Sequence, residues 1–148
     1  LPAHNVYTAI KGYGAFCNKT PISVSTVDEL GKSLLVTGFG YTHDDVWSKN
    51  MELYKRFTGL THGVRRLGAA AVDLCHVASG KVDGFWEFDL HPWDTAAGIL
   101  ILLEAGGIIT QMDGKGYDIF QNQILASNGQ IHGAMLKNIK PIIDSLNH

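Results

Sequence analysis

Apolar positions along the chain recur with two periods, and each period marks an element. Val6, Thr8 and Ile10 alternate, Gly12-Tyr13-Gly14 and Asn18-Lys19 punctuate, and Ile22-Ser23-Val24 alternates again, so residues 6–25 read as strand, turn and strand in a small antiparallel unit. Residues 33–37 form a short apolar strand stopped by Gly38 and Gly40, and beyond Asp44 the positions Trp47, Met51, Tyr54 and Phe57 fall at helical spacing. A basic, strand-like segment at 63–67 leads into a helix of small residues at 68–80, with Gly80 placed as its C′ residue. Residues 82–88 read as a strand. The run 94–105 is apolar nearly all round, which demands a helix covered on more than one side, and Gly106-Gly107 ends it. Strands at 108–112 and 124–126 and a closing helix at 135–146, kinked at Pro141, complete the pattern.

Strands alternating with helices argue an α/β or α+β layered fold, and 148 residues suit one domain, 1–148, with a real core. Apolar residues make up 45% of the chain, but the charged share of 18% is below the usual ~25%, so part of the surface is expected to lie against something else. A net charge of −2, with no run of Lys and Arg beyond two residues, speaks against a nucleic-acid partner. The apolar run 95–103 is about half of the ~20 residues that a bilayer-spanning helix needs, so no membrane partner is expected. Cys17 and Cys75 show no metal or redox spacing and fit a reduced, cytoplasmic chain. The start Leu1-Pro2-Ala3 carries no targeting pattern, and the expectation is that it lies inside a longer protein.

Asp94 leads the candidate chemistry. As a helix N-cap its carboxylate would accept the N–H of Ala96 or Ala97, which is the simpler account; the same position, held ionised by the positive end of the helix, suits a Mg²⁺ ligand facing a cleft. Trp93 beside it reads as core packing. Gly68-Ala69-Ala70 opens a helix without a side chain large enough to shield its amides, which suits phosphate or hydroxyl oxygens as well as close helix packing. Glu87 ends a strand seven residues before Asp94, so both carboxylates could reach one sheet edge, though a solvated strand-end glutamate is the alternative. Arg65-Arg66 reads as solvated surface before it reads as a phosphate contact, and Asp44-Asp45 as a cap with a dipole-matching neighbour. The seven histidines lack zinc spacing, and Gly12-x-Gly14 lacks the rest of a dinucleotide fingerprint.

Taken together, PWDTAAGILILLEAGG resembles the second signature of the inositol monophosphatase family, W-D-x-A-A-G followed by an apolar run and E-A-G-G. The likeness extends to VYTAIKGYGAFCNKTPISVS, similar to the family's hairpin, and to RRLGAAAVDLCHVASGKVDGFWEFDLHPWD, similar to its substrate-side helix and strand. The resemblance implies an αβαβα sandwich, usually dimeric, that hydrolyses phosphomonoesters of inositol and related alcohols with Mg²⁺ and is sensitive to lithium. It also implies that Asp94 binds the second catalytic metal, that Glu87 meets substrate hydroxyls, and that Gly68, Ala69 and Ala70 form the backbone turn at the substrate ring.

The family's first signature, an acidic D-P-x-D-G-T segment, has no counterpart in the sequence. The chain therefore resembles the C-terminal half of such an enzyme, expected to be inactive without its N-terminal half. Histidinol phosphate, fructose bisphosphate or a phosphonucleotide are the alternative substrates, and a non-catalytic binding module is the alternative of another kind. A cytoplasmic location is expected, with an organelle such as a plastid left open.

Overall fold

The computed structural model describes residues 4–40 and 42–145. Strands β1 (Tyr7–Ile10), β2 (Gly14–Cys17) and β3 (Thr20–Ile22) form an antiparallel meander. The segment thus holds three strands where alternation alone predicted two. The reason is its second reversal: Asn18 and Lys19, at φ +50° and +70°, are the two central residues of a tight hairpin that pairs Cys17 with Thr20.

A second sheet, in the order β5-β4-β6-β8-β7, contains β4 (Leu34–Thr37), β5 (Gly63–Arg65), β6 (Gly84–Phe88), β7 (Ile108–Thr110) and β8 (Gln123–Ser127). Strands β5, β4 and β6 are parallel, whereas β8 runs antiparallel to β6 and β7. Four helices accompany it: α1 (Asp45–Leu60), α2 (Ala70–Ala78), α3 (Pro92–Glu104) and α4 (His132–Asp144).

The period-2 pattern divides the sheet's side chains between two cores. Val36, Phe85, Ile124 and Ala126 pack with Leu74 of α2 and Leu102 of α3, while their neighbours Leu35, Trp86 and Leu125 pack with Leu53 and Phe57 of α1 and Met135 and Ile139 of α4. The meander adds Ala15, Tyr7, Ala9 and Ile22 to the first core, so the layers run meander, α2 with α3, five-stranded sheet, α1 with α4. Gly98 lets the middle helices meet, since a Cβ there would lie 2.8 Å from Leu74. Glu104 ties α3 to the meander, its Oε1 accepting the N–H groups of Gly12 and Gly14 at 3.0 and 2.9 Å.

Cover on α3 is incomplete. Thr95, Gly98, Ile101 and Leu102 are buried, but Trp93, Leu100 and Leu103 are 76%, 36% and 49% exposed. α2 starts at Ala70, with Gly68 and Ala69 before its first turn, and Gly80 takes the left-handed C′ position at φ +75° as predicted. α4 starts three residues earlier than its periodicity indicated, because Asn128 Oδ1 accepts the N–H groups of Gln130 and Ile131 and turns the chain there. It runs through Pro141 to Asp144; the predicted end at Leu146 lies outside the described residues.

His132, at the start of α4, is buried and fully partnered: Ser127 Oγ lies 2.8 Å from Nδ1 and Thr110 Oγ1 2.9 Å from Nε2. Thr110 donates its hydroxyl proton to the Gln111 carbonyl at 2.7 Å, so it accepts from Nε2–H, and Nδ1 accepts from Ser127. The ring is held neutral, and burial lowers its pKa to about 4.

Candidate active site

Three parallel strands deliver their carboxyl ends to one edge of the sheet. Val36 of β4 is in register with Arg65 of β5, and Thr37 with Trp86 of β6, so Gly38 and Arg66, which follow β4 and β5, come to the edge beside Glu87, the penultimate residue of β6. The amino ends of α2 and α3 meet the same edge. Between them lies a cavity of about 550 Å³, and its lining includes all five residues singled out in the sequence: Gly68, Ala69, Ala70, Glu87 and Asp94.

Asp94 is not the N-cap of α3. His91 is the N-cap, Pro92 occupies the first helical position, where its missing N–H costs nothing, and Asp94 is the N3 residue. Its Oδ2 accepts the backbone N–H of His91 at 2.9 Å, instead of those of Ala96 or Ala97, while its own N–H donates to the His91 carbonyl. The carboxylate is thereby fixed in the first turn beside the positive end of the helix. Trp93 is not core either: its ring is 76% exposed and stacks on His91, with centroids 4.4 Å apart.

Glu87 owes its direction to Trp86. Alternation sends Trp86 into the core against Phe57 and leaves Glu87 on the cavity side, half-buried rather than solvated. Trp86 Nε1 donates to Asn50 Oδ1 at 2.6 Å, and Asn50 Nδ2 donates to the Gly38 carbonyl at 2.9 Å, which sets the turn against which the carboxylate lies. A Cβ at Gly38 would come 1.8 Å from Glu87 Oε1, so only glycine fits there. Burial raises the Glu87 pKa to about 7, with Asp73 and Asp94 pushing the same way and Arg66 opposing.

The start of α2 has no side-chain cap, since Ala69 is its N-cap, and its first amides border the cavity. The arginine pair divides. Arg65 turns back to the Val64 carbonyl, whereas Arg66 lines the cavity with its guanidinium 4.8 Å from the Phe39 ring centroid. Asp89, at φ +58°, adds a third carboxylate to the wall. Among the described residues no three His, Cys, Asp or Glu side chains form a metal-holding group.

The sequence pattern of the inositol monophosphatase family matches residues 2–144. The chain belongs to this family. It is similar to an Arabidopsis thaliana protein named Phosphatase IMPL1, chloroplastic, at 53% identity over 95% of this chain and 38% of the relative. A Synechocystis inositol-1-monophosphatase is 48% identical over 86% of this chain and 44% of its own length. The solved structure of inositol monophosphatase from Anabaena superposes with a TM-score of 0.87 at 45% identity, covering 93% of this chain and 54% of that one. The chain thus spans about half or less of the length of these relatives, and its mixed α/β fold is theirs.

Arg66, read in the sequence as surface before a phosphate contact, reaches the cavity through the register of β5, whereas Asp73 of α2, not singled out there, acts on Glu87 through its charge without lining the cavity. Asp73 is buried with its Oδ1 unpartnered among the described residues, and burial raises its pKa to about 7. Ionised above pH 7 it destabilises the native chain; relative to an unfolded value of 3.8, it favours the native state as pH falls from 7 towards 4. His132 runs the opposite way: its native pKa of about 4 is below the unfolded 6.5, so stability is lost as pH falls through that window, by about 3 kcal/mol. The two slopes offset each other. Asp73→Asn is therefore expected to add a few kcal/mol at pH 8 and to reveal the acid-side decline of His132. Urea melts at pH 5, 6 and 8 measure this, and a variant no more stable at pH 8 than the parent would show Asp73 to be compensated.

Proposed function

We propose that residues 1–148 are the C-terminal half of a Mg²⁺-dependent phosphomonoesterase acting on inositol monophosphate or a related polyol phosphate, whose preceding half supplies the remaining metal ligands. The observation that carries this reading is the convergence of Asp94, Glu87 and the uncapped start of α2 on one cavity. The names of the Arabidopsis and Synechocystis relatives, a phosphatase and an inositol-1-monophosphatase, support it.

Carboxylate oxygens are the hard donors that Mg²⁺ prefers, and Asp94, with one oxygen held by the His91 N–H, keeps the other for the ion. When bound, the metal pair neutralises the transferring phosphoryl group and lowers the pKa of a coordinated water. Asp94 contributes charge and position, not proton abstraction. Glu87 accepts from hydroxyls of the leaving alcohol, and the first amides of α2 donate to its oxygens. The preceding half would cover Trp93, Leu100 and Leu103 and extend the meander beyond β1, whose flanks Val6 and Ile10 are 60% and 64% exposed.

Homodimerisation and lithium sensitivity, which the family implies, belong to the same reading. No helix of the described residues is long and apolar enough to cross a membrane, and the Arabidopsis relative's name makes a plastid the compartment to test beside the cytoplasm. The test is phosphate release from inositol 1-phosphate by the full-length protein. Release that depends on Mg²⁺ and stops with a chelator is expected; none from any polyol phosphate would overturn the proposal.

A further inference from the structure

We infer that Asp73 is a positioning residue for Glu87: a buried carboxylic acid behind the cavity wall, it supplies across one water the hydrogen-bond donor that Glu87 lacks, and so holds Glu87 to receive the hydroxyls of the leaving alcohol. The inference rests on the phosphatase reading of the cavity and deepens it.

Two periods place the pair. Ala70, which lines the cavity, and Asp73 are three residues apart on α2 and share one face of it, so Asp73 lies a turn behind the wall. Phe85 and Glu87 are two residues apart on β6 and share the sheet face that packs against Leu74 and Val77 of α2. Of the charged groups around Glu87, Asp73 acts on it most strongly, ahead of Asp94, Arg66 and Asp89.

Neither carboxyl group is answered by the rest of the described chain. Asp73 is 1% exposed, and its Oδ1 has no hydrogen-bond partner. Glu87 feels its neighbours only through space: Asp89 and Asp94 on the same wall are carboxylates with no proton to give, and Arg66 offsets its charge without a hydrogen bond. Two buried carboxyl groups so close do not both ionise, and near neutral pH they keep one proton between them. That proton belongs on Asp73, the more deeply buried, while Glu87 borders the cavity and its arginine. Because Asp73 and Glu87 are coupled without a direct hydrogen bond, the link is a water that accepts from the Asp73 O–H and donates to Glu87. A carboxylate with one lone pair engaged in this way presents the others to substrate hydroxyls in a fixed direction.

The experiment measures kcat and KM of the full-length protein, in Mg²⁺, on inositol 1-phosphate and on phenyl phosphate, whose leaving group carries no hydroxyl for Glu87. Asp73→Leu keeps the volume and removes the donor. It is expected to lower the ratio of kcat/KM on inositol 1-phosphate to that on phenyl phosphate by about tenfold, through KM. Asp73→Asn, whose amide N–H replaces the acid proton, should keep the ratio within about threefold of the parent's. In a Glu87→Gln background Asp73→Leu should add no further change, because Asp73 acts only through Glu87. Thermal melting reports the folding of each variant, and Asp73→Ala is the second donor-free variant where leucine crowds the core. A ratio unchanged without the donor overturns the inference, as does an equal loss on both substrates, a loss in Asp73→Asn as large as in Asp73→Leu, or a full additional loss on top of Glu87→Gln. A parent inactive on inositol 1-phosphate overturns the polyol-phosphatase reading itself.

Discussion

Purified residues 1–148 are expected to release no phosphate above background from inositol 1-phosphate at any Mg²⁺ concentration, while the same chain extended upstream by its preceding half turns over. The physical ground is ligand number. Mg²⁺ dehydrates reluctantly and keeps several waters, so a site survives only where carboxylates and substrate phosphate together complete its shell. Among the described residues Asp94 stands without two carboxylate, histidine or cysteine neighbours placed to share an ion, and Glu87 is pushed towards its neutral form by burial. A two-metal displacement needs both ions to stabilise attacking and leaving oxygens. Side-by-side assays of the short and extended chains measure the difference; ordinary turnover by residues 1–148 would sink the half-enzyme account.

Asp94→Asn in the extended protein is expected to lower kcat/KM on the order of 10³-fold and to raise the Mg²⁺ concentration at half-maximal rate, with at most about 1 kcal/mol lost in folding stability. The asymmetry follows from the two jobs of the side chain. Its amide oxygen can still accept the His91 N–H, so α3 keeps its first-turn hydrogen bond and loses only a charge beside the helix dipole. A metal ligand, by contrast, loses its full negative charge where charge neutralisation drives the reaction. Titrating Mg²⁺ in activity assays and melting both proteins separates the roles. Equal Mg²⁺ dependence in parent and variant would reduce Asp94 to a helix-start residue.

Much of the architecture was legible along the chain because it depends on local periods. The short apolar run of β4 stopped by Gly38 and Gly40, the helical spacing of Trp47 to Phe57 and the left-handed glycine after α2 each place an element from neighbours alone. The third strand of the meander escaped because β2 is short and begins on Gly14, and the turn after it uses Asn18-Lys19 without glycine. The start of α4 escaped because its signal is the Asn128 side chain, not an apolar repeat.

At the site the same division holds. The PWDTAAG segment pointed to Asp94, Glu87 and the 68–70 turn from order in the chain, and those residues do share a cavity. Their roles within it were not readable. Whether Asp94 caps as N-cap or as N3 depends on where Pro92 starts the helix, and Trp93 is exposed because nothing among the described residues packs over that face of α3. Order along the chain determined the layered fold and the family, since hydrophobic period and motif spacing are properties of neighbours. Only the tertiary structure decided that Gly38 abuts Glu87, that Asp73 is buried without a partner for Oδ1, and that Arg66 rather than Arg65 faces the cavity. Those facts arise from parallel strand register and from desolvation, which depend on residues distant in sequence.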